Sequence, residues 1–181
     1  MQILPLKLAG TYEITLQPRH DERGYFMRVF DEKIFHEHNL GRVWTQENQA
    51  FSKAKGIIRG LHFQRPPHAE TKLVRVVCGR ILDVFVDLRK HSPTYGQWDS
   101  VELSADNHKL VYLPKGFAHG YCTLTEESVV LYKVDESYAP HFEGGIRWDD
   151  ATLGISWPAG EHHVSAKDST LTLFREFVTP F

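Results

Sequence analysis

The sequence predicts a mainly β protein, a sandwich or closed barrel, and three observations carry that expectation. Strand-like runs rich in Val, Ile, Leu and Tyr recur along the chain, with turn residues about every ten positions. Only one segment, "DEKIFHEHNLG" (31–41), has a clear helical pattern. The length, 181 residues at 41% apolar and 24% charged, suits one domain, 1–181, with a full core. No internal repeat, linker or low-complexity tract divides it.

Taken in order, "TYEITLQP" (11–18) alternates weakly and ends at Pro18. "HDERG" (20–24) is a turn and "YFMRVF" (25–30) a strand. In the helix candidate Asp31 is the N-cap, Glu32 suits the first turn and Gly41 is the C-terminal stop. "VWTQENQAF" (43–51) and "GIIRGLHFQ" (56–64) return to strand character. "KLVRVVCGRILDVFVDLR" (72–89) reads as two strands joined tightly around Gly79, a β-hairpin. "SVELS" (100–104), "KLVYLP" (109–114), "GYCTL" (120–124) and "SVVLYKV" (128–134) extend the series. The tail "STLTLFREFVTPF" (169–181) fits a short helix or a strand. The four tryptophans and eleven phenylalanines are read chiefly as core, with a few free to stack on a base or sugar.

The formal net charge of −2 supplies no bulk basic field for nucleic acid or a membrane surface, so any anion recognition must be local. Two cysteines, Cys78 and Cys122, make no disulfide framework, which points to a reduced cytoplasm. "MQILPLKLAG" has no signal-peptide pattern, and no segment has the length and apolarity of a membrane span. The expectation is a soluble, unexported protein.

The chemistry concentrates in two stretches, "RGLHFQRPPHAETKLVRVVCG" (59–79) and "PKGFAHGY" (114–121). Pro114, Gly116 and His119 fit the second motif of the cupins, and Gly60, His62, Glu70 and Gly79 roughly supply the first. That resemblance implies a double-stranded β-helix, the cupin jelly roll, with a few short helices. Metal-binding cupins pair two histidines two residues apart, on one face of a strand. Here the pair is His62 and Gln64, and glutamine is a poor ligand beside imidazole. His68 follows two prolines and reads as loop. The metal set is therefore incomplete, and a metal-free site is expected, with a metal-dependent cupin as an alternative reading.

Without a metal, His62 suits a general base at neutral pH, although an isolated histidine is more often a satisfied core residue. Alternation places Gly60, His62 and Gln64 on one strand face and Lys72, Val74 and Val76 on another. Lys72, at the start of an apolar strand, could hold a developing oxyanion inside a cavity, or could snorkel at a rim. Tyr132 is a candidate proton donor and Tyr138 its competitor. Strict alternation sends Arg59 and His62 to opposite faces, unless a bulge at Gly60 brings them together.

"DERGYF", "IIRGLHFQRPP", "KLVRVVCG", "LDVFVDLRKHSPTYGQW", "VELSADN", "YLPKGFAHGY", "LYKVDESYAP", "GIRWDD" and "GISWP" follow in that order over about residues 3–168. Together they closely resemble the nucleotide-sugar epimerases typified by dTDP-4-dehydrorhamnose 3,5-epimerase. The resemblance implies a homodimer that needs no cofactor. Its substrate would be a nucleoside-diphosphate 4-keto-6-deoxy sugar, inverted at carbons 3 and 5. Related members invert a single centre, which is the alternative. Carried over residue by residue, His62 would be the base, oriented by Asp168; Lys72 would hold the enolate; Tyr132 would be the acid on the opposite face. Arg23 and Arg59 would lie near the diphosphate, Gln46 and Asn48 near the nucleotide or sugar, and His119 and Tyr138 along the same cavity. Arg28 stands where the family pattern has a glutamate, and is expected at the nucleotide end.

Overall fold

A computed structural model describes all 181 residues. In chain order its strands are β1 (Gln2–Pro5), β2 (Tyr12–Thr15), β3 (Arg19–Asp21), β4 (Gly24–Phe26), β5 (Gln46–Ser52), β6 (Ile57–Gln64) and β7 (Lys72–Cys78). They continue with β8 (Arg80–Asp87), β9 (Trp98–Ser104), β10 (Lys109–Leu113), β11 (Phe117–Thr123), β12 (Ser128–Val134), β13 (Glu143–Gly145) and β14 (His163–Val164). Two short helices, α1 (Glu32–Glu37) and α2 (Ala166–Ser169), and single 3-10 turns at Pro140–Phe142 and Phe174–Glu176 complete the chain. No helix is long and apolar enough to cross a membrane.

Two sheets face one another, with strand orders β1-β2-β10-β7-β12-β5 and β13-β6-β11-β8-β9. The way they are built makes this a double-stranded β-helix. β7 and β10 are antiparallel partners in the first sheet, and their continuations β8 and β9 are partners in the second. β5 and β12 repeat the pattern with β6 and β11. Each long two-stranded ribbon therefore bends from one sheet into the other, and the jelly roll expected from the sequence is the fold.

The bend corrects one expectation. Gly79 does not close a β-hairpin: β7 and β8 lie in different sheets and do not pair. Gly79 turns the corner at φ 72°, and a Cβ there would collide with the Glu127 carbonyl. A glycine between two apolar runs carries the same local signal for a corner as for a hairpin; only the partners decide, and they lie far along the chain. Gly56, at φ 80°, makes the matching corner between β5 and β6.

The helix also ends earlier than its pattern suggests. Asp31 caps it as expected, its Oδ1 accepting from the Ile34 N–H, worth about 1 kcal/mol for such caps. The left-handed stop is Asn39, at φ 59°, not Gly41. Of "YFMRVF" only Tyr25 and Phe26 are strand, in the small β3–β4 hairpin; Met27, Val29 and Phe30 instead pack against the core cluster around α1. The tail contains one 3-10 turn and is otherwise irregular, with a single bridge from Thr172 to Ile146.

Alternation sorts the apolar residues into three cores. Between the sheets lie Val74, Val76, Ile81, Phe85, Val111 and Val130 among others. Outside the second sheet, Leu61, Phe63, Val84 and Val86 are covered by Trp98, Trp157, Phe174, Phe177 and Phe181. Outside the first, Ile14, Leu73, Leu110 and Tyr112 are covered by Phe35, Leu40 and Trp44. The tail thus acts as a lid of aromatics over a sheet face that would otherwise meet water, which is why its own periodicity is weak.

Candidate active site

The barrel interior is apolar at one end and polar at the other. Along the inward face of β7, Val76 and Val74 give way to Lys72, and on β12 Val130 gives way to Tyr132. Register puts Tyr132 beside Asn48 of β5 and Val134 beside Gln46. The polar end opens as two chambers, of about 760 and about 340 Å³. His62, Lys72 and Tyr132 line both, so they stand at the junction.

The bulge suggested by Gly60 is present. β11 faces β6 with His119 opposite His62 but Tyr121 opposite Arg59, so three steps on β6 match two on β11. Gly60 takes φ 130°, and a Cβ there would lie 2.5 Å from the Gly120 Cα. Two glycines facing across the ladder let the strand slip a residue, and Arg59 and His62 both reach the larger chamber. Arg59 is held there by its Nε donating to Ser52 Oγ at 3.2 Å and its Nη2 to the Phe51 carbonyl at 2.9 Å.

His62 is partly exposed, and its Nε2 donates to Asp168 Oδ1 at 2.7 Å. An ionised carboxylate only accepts, so Nε2 carries a proton, and whenever the ring is neutral Nδ1 holds the lone pair. Asp168 sits on α2, where the Ser165 side chain caps the Asp168 N–H, and its Oδ2 accepts from the Gly60 N–H at 3.2 Å. Burial works to raise this carboxyl, but the His62 bond and charge, the Gly60 N–H and Ser165 outweigh it and hold it below the usual carboxylate value. The bulge and the dyad share one residue, since the glycine that displaces the strand also donates to the aspartate.

A second pair lies deeper. His119 Nε2 donates to Asp83 Oδ2 at 2.7 Å, and Asp83 Oδ1 has no protein partner. Asp83 is fully buried, and burial pushes its carboxyl up despite the nearby His119 and Lys72. Lys72 Nζ lies 3.3 Å from the His62 carbonyl and 3.2 Å from Glu70 Oε1. The half-buried Tyr132 phenol is raised, first by burial and then by the charges of Glu70 and Glu143, against Arg59.

Gln46, Asn48 and Tyr138 line the smaller chamber. The Tyr138 ring is 59% exposed; its N–H donates to Gln46 Oε1 at 2.6 Å and its hydroxyl to Glu143 Oε2 at 3.1 Å. The structure does not bring Arg23 or Arg28 to this cleft. Arg23 stands on the β3–β4 hairpin, away from both sheets, its Nη2 bound to Asp21 Oδ2 at 2.6 Å. Arg28 is held at the mouth of α1 by Asp31 Oδ2 at 2.9 Å, beside a separate surface hollow with Gln17 and Phe26. In both cases an aspartate two or three residues away takes the guanidinium.

Several residues of the cleft escaped sequence reasoning. Lys167 binds Glu143 Oε1 at 2.7 Å and outweighs that carboxylate's burial, holding it below its usual value. The two come from short, irregular segments where no periodicity marks a facing side chain. Gln64, noted above only as a poor ligand, is fully engaged: the two Nε2 hydrogens are shared among the carbonyls of His68 and Ser137 and Glu70 Oε2, and Oε1 accepts from the Ala139 N–H at 2.6 Å. Its place in the first cupin motif is thus filled by a tie between two loops rather than by a free donor toward the cavity.

Comparison with known proteins agrees with this geometry. The family model described as dTDP-4-dehydrorhamnose 3,5-epimerase matches residues 5–176. The enzyme of that name from Methanothermobacter thermautotrophicus is 44% identical over 178 residues, covering 97% of this chain and 95% of its own. The one from Salmonella typhimurium is 43% identical over 176 residues, covering 94% and 95%. The crystal structure of the Bacillus anthracis enzyme, with TDP and PPi bound, superposes with a TM-score of 0.93 at 41% identity, covering 96% of this chain and 99% of that one.

Proposed function

Because the chain belongs to the dTDP-4-dehydrorhamnose 3,5-epimerase family, we propose a mechanism for its own residues as an isomerase of a nucleotide sugar. It inverts carbons 3 and 5 of dTDP-4-dehydro-6-deoxyglucose, giving dTDP-4-dehydrorhamnose. The observation that carries the reading is the His62–Asp168 dyad at the junction of two chambers, beside an ammonium and a phenol.

The ketone at carbon 4 acidifies the hydrogens on carbons 3 and 5. His62 Nδ1 takes one of these protons, and Asp168 supports the imidazolium that results. The C–H electron pair moves into the ring carbonyl, leaving negative charge on the carbon 4 oxygen. Lys72 faces that oxygen with a fixed ammonium, a donor whose field is strengthened by its own burial. Tyr132 returns a proton to the opposite face of the same carbon, which inverts it; a phenol held above its usual value arrives protonated. Exchange with water restores both groups, and the sequence repeats at the second carbon. Arg59 grips a phosphate oxygen, with His119 beside the sugar. Gln46, Asn48 and Tyr138 receive the nucleotide end. Arg23 and Arg28 stand outside this chain's own cleft. One epimerase domain, 1–181, would act as a homodimer in the cytoplasm.

Turnover of dTDP-4-dehydro-6-deoxyglucose in deuterated water tests the reading. Deuterium at both carbons 3 and 5 of the product is the expected result. Deuterium at one carbon would make the protein a single-centre epimerase, and at neither would remove the enolate mechanism.

A further inference from the structure

We propose that Glu70 is a positioning residue of this site, one that fixes the Lys72 ammonium at the junction of the chambers and presents its negative charge to Tyr132. The inference rests on the epimerase reading above and goes one layer beyond it.

A lysine is a poor preorganised donor by itself. Its four-carbon stem is flexible and its ammonium can turn its three N–H groups to any acceptor. Here two directions are occupied, by the His62 carbonyl at 3.3 Å and by Glu70 Oε1 at 3.2 Å. The third is left for the cleft that Lys72 lines. Glu70 is itself held, because its other oxygen, Oε2, accepts from Gln64 Nε2 at 3.1 Å. Gln64 is 3% exposed and anchored to the backbone at His68, Ser137 and Ala139. Rigidity thus passes from backbone to amide to carboxylate to ammonium.

The Glu70 and Lys72 side chains are 13% and 9% exposed. A pair this deeply buried is weak as a stabilising device, since desolvating both charges offsets most of their attraction. Its value lies in geometry. Charged groups reach the Tyr132 phenol from several elements: Glu70 before β7 and Glu143 on β13 push it up after burial has done so, and Arg59 on β6 opposes them. Lys72 and His62 share its walls. Of the two carboxylates Glu70 acts more strongly on the phenol, so removing its charge makes the phenol easier to ionise and spends the acid at a lower pH.

The test compares wild type, Glu70→Gln and Glu70→Asp by kcat and KM against pH, with dTDP affinity as the control for folding. Glu70→Gln is expected to lower kcat roughly tenfold to hundredfold, as loss of a fixed oxyanion donor does. KM should stay within about twofold, and the alkaline limb of kcat should move down by roughly one pH unit, the scale of a nearby carboxylate's effect. Glu70→Asp keeps the charge and should keep the wild-type alkaline limb. An unmoved limb in Glu70→Gln, an equal shift in both variants, or a loss of dTDP affinity in step with kcat would overturn the proposal. A second readout is independent of turnover: the Tyr132 phenol, followed by carbon NMR of ring-labelled tyrosine and assigned by its disappearance in Tyr132→Phe. It should titrate at lower pH in Glu70→Gln than in wild type. If wild type turns over no 4-keto sugar, the epimerase reading fails, and this titration still decides the role of Glu70: an unshifted phenol removes it.

Discussion

Two histidine–aspartate pairs lie within this fold, and they have the same Nε2 to Oδ separation, 2.7 Å, yet opposite character. His62–Asp168 sits at the mouth, with His62, Ser165 and the Gly60 N–H serving the carboxylate, which is held low. His119–Asp83 lies deeper, with one carboxylate oxygen unserved and the carboxyl pushed up by burial. A short contact between the same two residue types therefore does not define a base. What defines it is how many donors stabilise the carboxylate and whether the ring reaches a substrate. In the mechanism proposed above, the outer pair moves protons and the inner pair shapes the floor.

The largest break of this contrast is at the outer imidazole. His62→Asn is expected to lower kcat by about 10³-fold, within the usual range for a general base, with dTDP affinity nearly unchanged; steady-state kinetics and calorimetric titration of dTDP check both halves. Next is the partner acid. Tyr132→Phe should lower product formation by roughly 10²-fold while wash-in of solvent deuterium into the remaining substrate persists, because only the return of the proton is lost. Normal product yield would shift the acid role to Tyr138 or water. Third is the orienting carboxylate. Asp168→Asn should cost roughly ten- to hundredfold in kcat with a small change in KM, since the ring keeps its place but loses its tautomer and its counter-charge.

The smallest effect is on stability, where the two aspartates should part in sign. Asp168 is lowered in the folded state, so its contribution is complete above about pH 4, the ordinary carboxylate value, and is lost as pH falls through its folded value. Asp83 is raised, so it burdens the folded state at neutral pH, and the burden lifts as pH falls through its folded value. Relative to Asp83→Asn, wild type should therefore gain stability as pH falls from neutral toward the ordinary carboxylate value of about 4; relative to Asp168→Asn, it should hold its advantage until pH falls below that value. Denaturant unfolding of the three proteins across that range gives both slopes.

Much of this was legible in the chain. Strand periodicity and turn spacing gave the β class, and Pro114, Gly116 and His119 with Gly60 and His62 gave the jelly roll. Alternation placed Lys72, Val74 and Val76 on one inward face, as found. The failures have a common cause. Gly79 was misread because a sheet-to-sheet corner and a hairpin share one local signal, and the partners of β7 lie 35 or more residues away. Gly41 was read as the helix stop from its residue type, while Asn39 takes the left-handed position. Glu143, Lys167, Gln64 and Glu70 meet only because β13, α2, the end of β6 and the loop before β7 converge, and no periodic pattern records a convergence. Asp83 was invisible for a different reason: in an apolar strand it alternates like a core residue, and only its distance to His119 reveals it.

Deuterium wash-in from solvent into the 4-keto sugar, compared between His62→Asn and His119→Asn, weighs the outer pair against the inner one. The expected result is that His62→Asn exchanges neither carbon 3 nor carbon 5 above the uncatalysed background, while His119→Asn still exchanges both. Exchange that survives the loss of His62 and stops with the loss of His119 would contradict it, and would move the base to the buried pair.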